Sequence, residues 1–166
     1  VAYYVEATGD ESLLAERVPF LTGSVLRPEE DERYGLFAET AEAYPLYEHC
    51  RRALEKGSTM GGHGLPLIGS GDWNDGMNRV GAGGQGESVW LGWFLHATLS
   101  RFASLSERLG RAEEAGAYRH RADGLRDALE SAGWDGAWYR RGYYDDGQSL
   151  GAAQDDEWRI DSVAQS

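Results

Sequence analysis

Apolar and polar positions divide the chain into helical stretches separated by polar or glycine-rich connections. Residues 2–7 and 11–21 favour helix, broken at Gly9 and Asp10, with Asp10 or Ser12 available as caps. Residues 22–35 combine Pro28 with acidic residues, glycine and serine, the makeup of a polar connecting loop. From Thr40 to Lys56 apolar side chains recur at helical spacing (Ala43, Leu46, Tyr47, Cys50, Ala53, Leu54), which predicts an amphipathic helix closed by Lys56-Gly57.

The strongest helical signal runs from Glu87 to Leu109, with an acidic first turn and apolar residues on nearly every side at Val89, Trp90, Leu91, Trp93, Phe94 and Leu95. Such a pattern predicts burial on both faces. Residues 112–129 show instead one narrow stripe, Ala115, Tyr118, Ala122, Leu125 and Leu129, and hence one wet face. This pair of patterns suits a two-ring helical barrel and equally a helical bundle, so the expected class is all-α.

Between these helices, residues 57–86 have no period and are rich in glycine. Loops of that length inside compact domains are usually functional or disordered. Leu65, Pro66, Leu67, Ile68, Trp73 and Met77 would prefer burial, which favours an ordered loop packed over a cleft. Residues 134–144 can form a short hairpin before the turn Asp145-Asp146-Gly147. Val1 stands within one helical pattern and residues 159–165 open another, so residues 1–166 read as a fragment of one domain truncated at both ends.

Composition then narrows the function. With 28 acidic against 16 basic residues and a formal charge of -12, the chain repels a phosphate backbone, which argues against nucleic acid as a partner. One cysteine, Cys50, cannot build a disulfide framework, in keeping with a reducing compartment. No run approaches the roughly 20 apolar residues of a membrane span, and no signal segment opens the chain.

The candidate chemistry lies at residues 69–78, Gly-Ser-Gly-Asp-Trp-Asn-Asp-Gly-Met-Asn. Two carboxylates, Asp72 and Asp75, and the flat indole of Trp73 share one glycine-flanked turn where backbone can approach a sugar closely. A carboxylic acid that protonates a glycosidic oxygen needs a raised pKa, which a neighbouring indole or second carboxylate can supply, so either aspartate fits. Carboxylates this close in sequence also permit a retaining pair about 5 Å apart. The same residue types make ordinary Asx turns; a calcium loop fits poorly because Trp73 and Met77 stand where ligands would alternate.

Other candidates carry both a functional and a structural reading. His63 can bind a sugar hydroxyl or simply support its loop. Glu87 can contact sugar or place a favourable charge at a helix start. Arg140, like Arg141, can reach a phosphate or hydroxyl, or lie on a solvated hairpin. His49, His96 and His120 have no partner at ligand spacing, so no metal site is expected. Neither a Gly-x-Ser-x-Gly elbow nor a Walker loop occurs.

The run His63-Gly-Leu-Pro-Leu-Ile-Gly-Ser-Gly-Asp-Trp-Asn-Asp-Gly-Met-Asn78, with Gly86-Glu-Ser-Val-Trp-Leu-Gly-Trp-Phe-Leu95 after it, resembles the signature of family 94 glycoside phosphorylases. Residues 138–147 and 159–166 resemble the same family in the same order, and the wording is most similar to the cyclic β-1,2-glucan synthase and β-1,2-oligoglucan phosphorylase branch. The resemblance implies part of an (α/α)6 barrel with long ordered loops and an inverting phosphorolysis that releases α-glucose 1-phosphate from a β-glucan, β-1,2-linked by that branch. It implies Asp75 as general acid and Trp73 lining the subsite of the transferred sugar, with Asp72 as a hydrogen-bonding or turn residue. Asn74, His63, Glu87 and Arg140 complete the expected substrate-binding set.

The implied partners are a β-glucan oligosaccharide, inorganic phosphate as co-substrate with no further cofactor, and the remainder of the same catalytic domain. Uncovered faces give the fragment a route to self-association. The implied location is cytoplasmic, as a soluble domain of an inner-membrane-associated synthase. Two other readings stay open: a phosphate-independent inverting β-glucan hydrolase, and a non-catalytic glucan-binding segment.

Overall fold

The computed structural model describes residues 1–27, 30 and 32–165, and of Asp75 the backbone alone. The chain forms two compact units, Val1–Glu55 and Lys56–Ser166.

In the first unit, α1 (Ala2–Thr8) is followed by a single 3-10 turn at Ser12–Ala15. Two antiparallel strands come next, β1 (Arg17–Thr22) and β2 (Ala38–Pro45), in register from Arg17↔Pro45 to Thr22↔Ala38 with an irregularity between Pro19 and Leu21. The helix α2 (Leu46–Gly57) begins directly after Pro45, and the Leu46 N–H donates back to the Glu16 carbonyl at 2.9 Å. Phe20 of β1 stacks on His49 of α2 at 3.8 Å between ring centroids. On the outer face of α2, hydrogen bonds from Arg51 and then Arg52 hold the Glu48 carboxyl down at about 2.

The second unit is built on a helical hairpin. α3 (Val89–Arg108) and α4 (Ala112–Ala128) are joined at 109–111, and a π-helical turn, Leu129–Gly133, continues α4. The buried face of α3 is Gly92, Leu95, Leu99, Phe102, Ala103 and Ser106, and that of α4 is Ala115, Tyr118, Ala122 and Leu125. Phe102 meets Tyr118 edge-on at 5.3 Å. Burying a leucine such as Leu99 or Leu125 stabilises the pair by about 1.5–3 kcal/mol.

Beside the hairpin lies a three-stranded antiparallel sheet of two-residue strands, in the order β3 (Glu87–Ser88), β4 (Gly142–Tyr143), β5 (Ser149–Leu150). Gly142 is required at its place, since a Cβ there would stand 2.1 Å from the Glu87 carbonyl oxygen. The glycine-rich loop folds onto this sheet: the Ser88 N–H donates to Pro66 O at 3.0 Å and the Ile68 N–H to Gly86 O at 2.8 Å. Ile68, Met77 and Val80 pack with Leu150, flanked by Tyr144, in a small apolar core under the loop.

These observations correct the all-α expectation, and with it the part of an (α/α)6 barrel. The chain is mixed α/β, 42% helical and 16% strand. The expected helix over 11–21 is a 3-10 turn and a strand, because Pro19 would remove a bond from a helix interior while Val18, Phe20 and Thr22 favour extended backbone. The helix expected from Thr40 starts only at Leu46, since Pro45 disfavours helical backbone at Tyr44. Helix α3 is not buried all round, as Phe94 is 57% exposed. Residues 159–165 form turns rather than the start of a helix. Of the expected loop at 22–35, Pro28, Glu29 and Asp31 lie outside the described residues. Among the described residues no helix is long and apolar enough to cross a membrane.

Candidate functional site

The Asp72–Asn74 segment enters a 3-10 turn, Asp75–Met77, for which Asn74 is the N-cap: its side-chain oxygen accepts the Gly76 N–H at 3.0 Å. The Met77 side chain is buried in the small core and anchors the far end of the turn. The backbone of Asp75 therefore sits at the start of a short, capped, anchored turn. Its side chain, on which the general-acid expectation rests, lies outside the described residues.

Trp73 is the exception among the loop's expected buried residues. Leu65, Pro66, Ile68 and Met77 are buried and Leu67 is half-buried, whereas Trp73 is 54% exposed. Its ring leans on Trp90 at 6.3 Å, and Trp90 stacks on Phe94 at 5.5 Å and 13°. The three rings make an aromatic row along the first turns of α3, with flat faces suited to the apolar side of a sugar.

Directly beneath the turn, Asp72 and Arg141 have side chains with no exposed area. Arg141 Nη2 donates to both Asp72 oxygens, at 2.7 and 2.6 Å, and Nη1 donates to Ser88 Oγ at 3.2 Å. Ser88 Oγ donates to Asp72 Oδ2 at 2.7 Å and accepts the Leu91 N–H at 3.1 Å, so it caps α3 as well. The Asn74 N–H donates to Asp72 Oδ1 at 3.0 Å. Arg141 Nε stands 2.7 Å from Asp161 Oδ2, an ion pair by distance in which the N–H is not aimed at the oxygen.

Glu87 and His63, expected separately, form a second pair next to the first, with Glu87 buried and His63 half-buried. Glu87 is 2% exposed; its Oε1 accepts the His63 N–H at 3.0 Å and the Leu65 N–H at 3.1 Å, and its Oε2 lies 2.5 Å from His63 Nδ1. The half-buried His63 ring stacks on Tyr143 at 3.7 Å and 13°. Gly61 permits this nest, because a Cβ there would come within 2.5 Å of the Glu87 carboxyl carbon. Helix α3 is capped by Ser88 rather than by Glu87.

Arg140 faces away from its neighbour Arg141. Its Nη1 donates to the carbonyls of Ala132 and Trp134 at 2.7 and 2.8 Å, closing the π-helical turn. Asp145 secures the other end of the glycine loop by accepting the N–H groups of Gly83, Gln85 and Gly86 at 2.6, 2.8 and 2.9 Å. Those bonds, the Gln85 one foremost, hold its carboxyl below the usual aspartate range.

Of the expected site residues, the structure gathers Asp72, Trp73, Asn74 and the Asp75 backbone in one turn. Glu87 and His63 stand beside it through the consecutive residues Glu87 and Ser88. Arg140 is turned elsewhere. Sequence reasoning weighed Arg141 only with Arg140 and passed over Ser88, Asp161 and Asp145. The available signal was the alternation of an extended segment, which sends adjacent arginines to opposite sides.

The family model described as "Glycosyl hydrolase 94 superfamily, catalytic domain" matches residues 1–166. The chain is 48% identical over 167 aligned residues to the cyclic beta-(1,2)-glucan synthase NdvB of Rhizobium meliloti, covering 100% of this chain and 6% of that protein. It is 35% identical to the solabiose phosphorylase of Paenibacillus borealis, over 95% of this chain and 18% of that protein. It is 38% identical to the 3-O-beta-D-glucopyranosyl-beta-D-glucuronide phosphorylase of the same organism, over 75% and 16%. The chain thus spans less than a fifth of the length of these relatives.

Proposed function

We propose, on the premise that the chain belongs to the catalytic domain of the glycosyl hydrolase 94 superfamily, that it forms part of an inverting glycoside phosphorylase site acting on a β-glucan. The observation that carries this reading is the capped turn Asp72-Trp73-Asn74-Asp75, which leaves the Trp73 indole exposed and the Asp72 carboxylate without exposed area. The 48% identity to a cyclic beta-(1,2)-glucan synthase supports β-1,2 as the linkage.

In the proposed reaction an oxygen of inorganic phosphate attacks the anomeric carbon from the face opposite the departing sugar. The bond from that carbon to the glycosidic oxygen breaks, and Asp75 gives its proton to the leaving oxygen. The products are α-glucose 1-phosphate and a glucan one unit shorter, with Asp75 reprotonated from solvent. Phosphate supplies the nucleophile, so one catalytic carboxyl suffices. Trp73 offers its face to the transferred sugar, and the Trp90–Phe94 extension gives the next ring a surface. The reading assigns the phosphate ligands to other segments of the same domain, and places the site on the cytoplasmic side of a membrane-associated synthase.

The test is an assay of the complete polypeptide carrying this chain, on β-1,2-glucooligosaccharides with and without phosphate, beside Asp75→Asn. Strictly phosphate-dependent release of the α anomer, reduced by about 10²-fold or more in the variant, is expected. Release of free glucose without phosphate would replace phosphorylase with hydrolase, and full activity in Asp75→Asn would remove that residue from its role.

A further inference from the structure

The polar groups beneath the turn are not consumed by the proposed reaction, yet they come from four separate parts of the chain. Through one guanidinium, Asp72 of the turn is joined to Ser88 at the start of α3, to residue 141 at the edge of β4, and to Asp161. We infer that Arg141 is a positioning residue for the general acid: it fixes Asp72, and Asp72 fixes the turn whose backbone carries Trp73 and Asp75. This inference rests on the assignment of Asp75 as the acid.

Asp72 Oδ1 receives the Asn74 N–H and Arg141, and Oδ2 receives the Ser88 hydroxyl and Arg141. With its acceptor positions occupied and its surface fully covered, this carboxylate has no other orientation available without leaving buried donors unmet. A buried ion pair is a weak source of net stability compared with apolar packing, but it is directional. Direction is what a turn presenting an acid needs, because a displacement of about 1 Å at a reacting group can cost about 10²-fold in rate.

Both oxygens converge on Nη2 and Nη1 donates to Ser88 Oγ, so both terminal nitrogens of the planar fork are bonded, while Asp161 balances the charge beside Nε. Lysine carries the charge without that fork, and cannot replace it. Arg140, adjacent in sequence, is spent on carbonyls and cannot substitute.

The experiment uses the complete polypeptide with Arg141→Lys, Arg141→Ala and Asp72→Asn. Steady-state rates on β-1,2-glucooligosaccharides should show kcat falling by about 30- to 100-fold with KM for the oligosaccharide within about twofold. Sub-denaturing guanidinium ion should restore part of kcat in Arg141→Ala and none in wild type. Hydrogen exchange at the Asn74 amide, which reads the turn without reference to chemistry, should accelerate in all three. A folded Arg141→Lys protein with unaltered kcat would overturn the inference, as would a loss confined to KM. If both Arg141 variants fail to fold, Asp72→Asn decides: unaltered kcat or unaltered Asn74 exchange refutes the positioning role. Should wild type prove phosphate-independent, the phosphorylase reading fails, while the same kcat comparison on hydrolysis still tests the clamp.

Discussion

Removing the Glu87 carboxylate should cost far more than neutralising it, and the structure gives the difference. Glu87→Ala takes the acceptor from two backbone amides, those of Leu65 and His63. Leu65 is fully buried, so water cannot take over its N–H, and an orphaned buried donor costs about 1–3 kcal/mol. His63 is half-buried and its amide recovers part of a bond from solvent, which sets its share at the lower end of that range. The sum is about 2–4 kcal/mol for Glu87→Ala. Glu87→Gln keeps one carbonyl oxygen for both amides and turns its NH2 toward His63 Nδ1, so its cost should be about 1 kcal/mol. Gly61→Ala supplies an independent route to the same loss, since the new Cβ must displace the Glu87 carboxyl from 2.5 Å.

Urea unfolding followed by tryptophan fluorescence measures all three, provided the slopes match and the transitions are two-state. The double variant Gly61→Ala/Glu87→Ala should be no worse than its more damaging parent, because both remove the same contact. Equal costs for alanine and glutamine at position 87, or strict additivity in the double variant, would refute the account of a carboxylate serving as the acceptor for its loop.

Asp145 makes stability depend on acid. Its carboxyl is depressed in the fold by the Gln85, Gly83 and Gly86 amides, so its contribution is present above the ordinary aspartate value near 3.9 and is lost as pH falls through the depressed folded value; Asp145→Asn should flatten that acid limb in a thermal-unfolding series. Leu129→Ala should destabilise by about 2–5 kcal/mol, read from the denaturation midpoint, because Leu129 is fully buried and packs where a Cβ on Gly92 would stand 2.9 Å away. Trp73→Ala should leave the unfolding midpoint nearly unmoved, since the ring is 54% exposed, while raising KM for the oligosaccharide; a stability loss of several kcal/mol without a kinetic effect would make Trp73 a packing residue.

The sequence was most legible where one periodic pattern met one environment. The α4 stripe of Ala115, Tyr118, Ala122, Leu125 and Leu129 is buried as expected, and the glycine loop is ordered by its own apolar residues. It was least legible in the strands. β3, β4 and β5 are two residues each, too short to carry a period, and their pairing is set by long-range approach such as Gly142 against Glu87. In β1 and β2 apolar residues also fell at helical spacing, and only Pro19 and Pro45 spoke against a helix. At the site, motif composition marked the turn, but Arg141, Ser88 and Asp161 come from distant segments, which no local spacing records.

The surroundings of Asp72 bear on which of the two carboxylates, equally suited by residue type, acts as the acid. For Asp72 to give up a proton, one of its oxygens would first have to carry that proton in place of a bond from Arg141, Ser88 or Asn74. Each release would strand a donor inside the protein, and the guanidinium would lose its closest counter-charge where no water reaches. A retaining pair would also require Asp72 to attack a sugar carbon from a position with no exposed surface. The proposal therefore gives Asp72 a supporting role and places the proton on Asp75. An Asp72→Asn protein that keeps its pH profile while losing kcat would follow from that division, whereas a shifted or vanished acidic limb in that variant would mean that Asp72 takes part in the proton transfer.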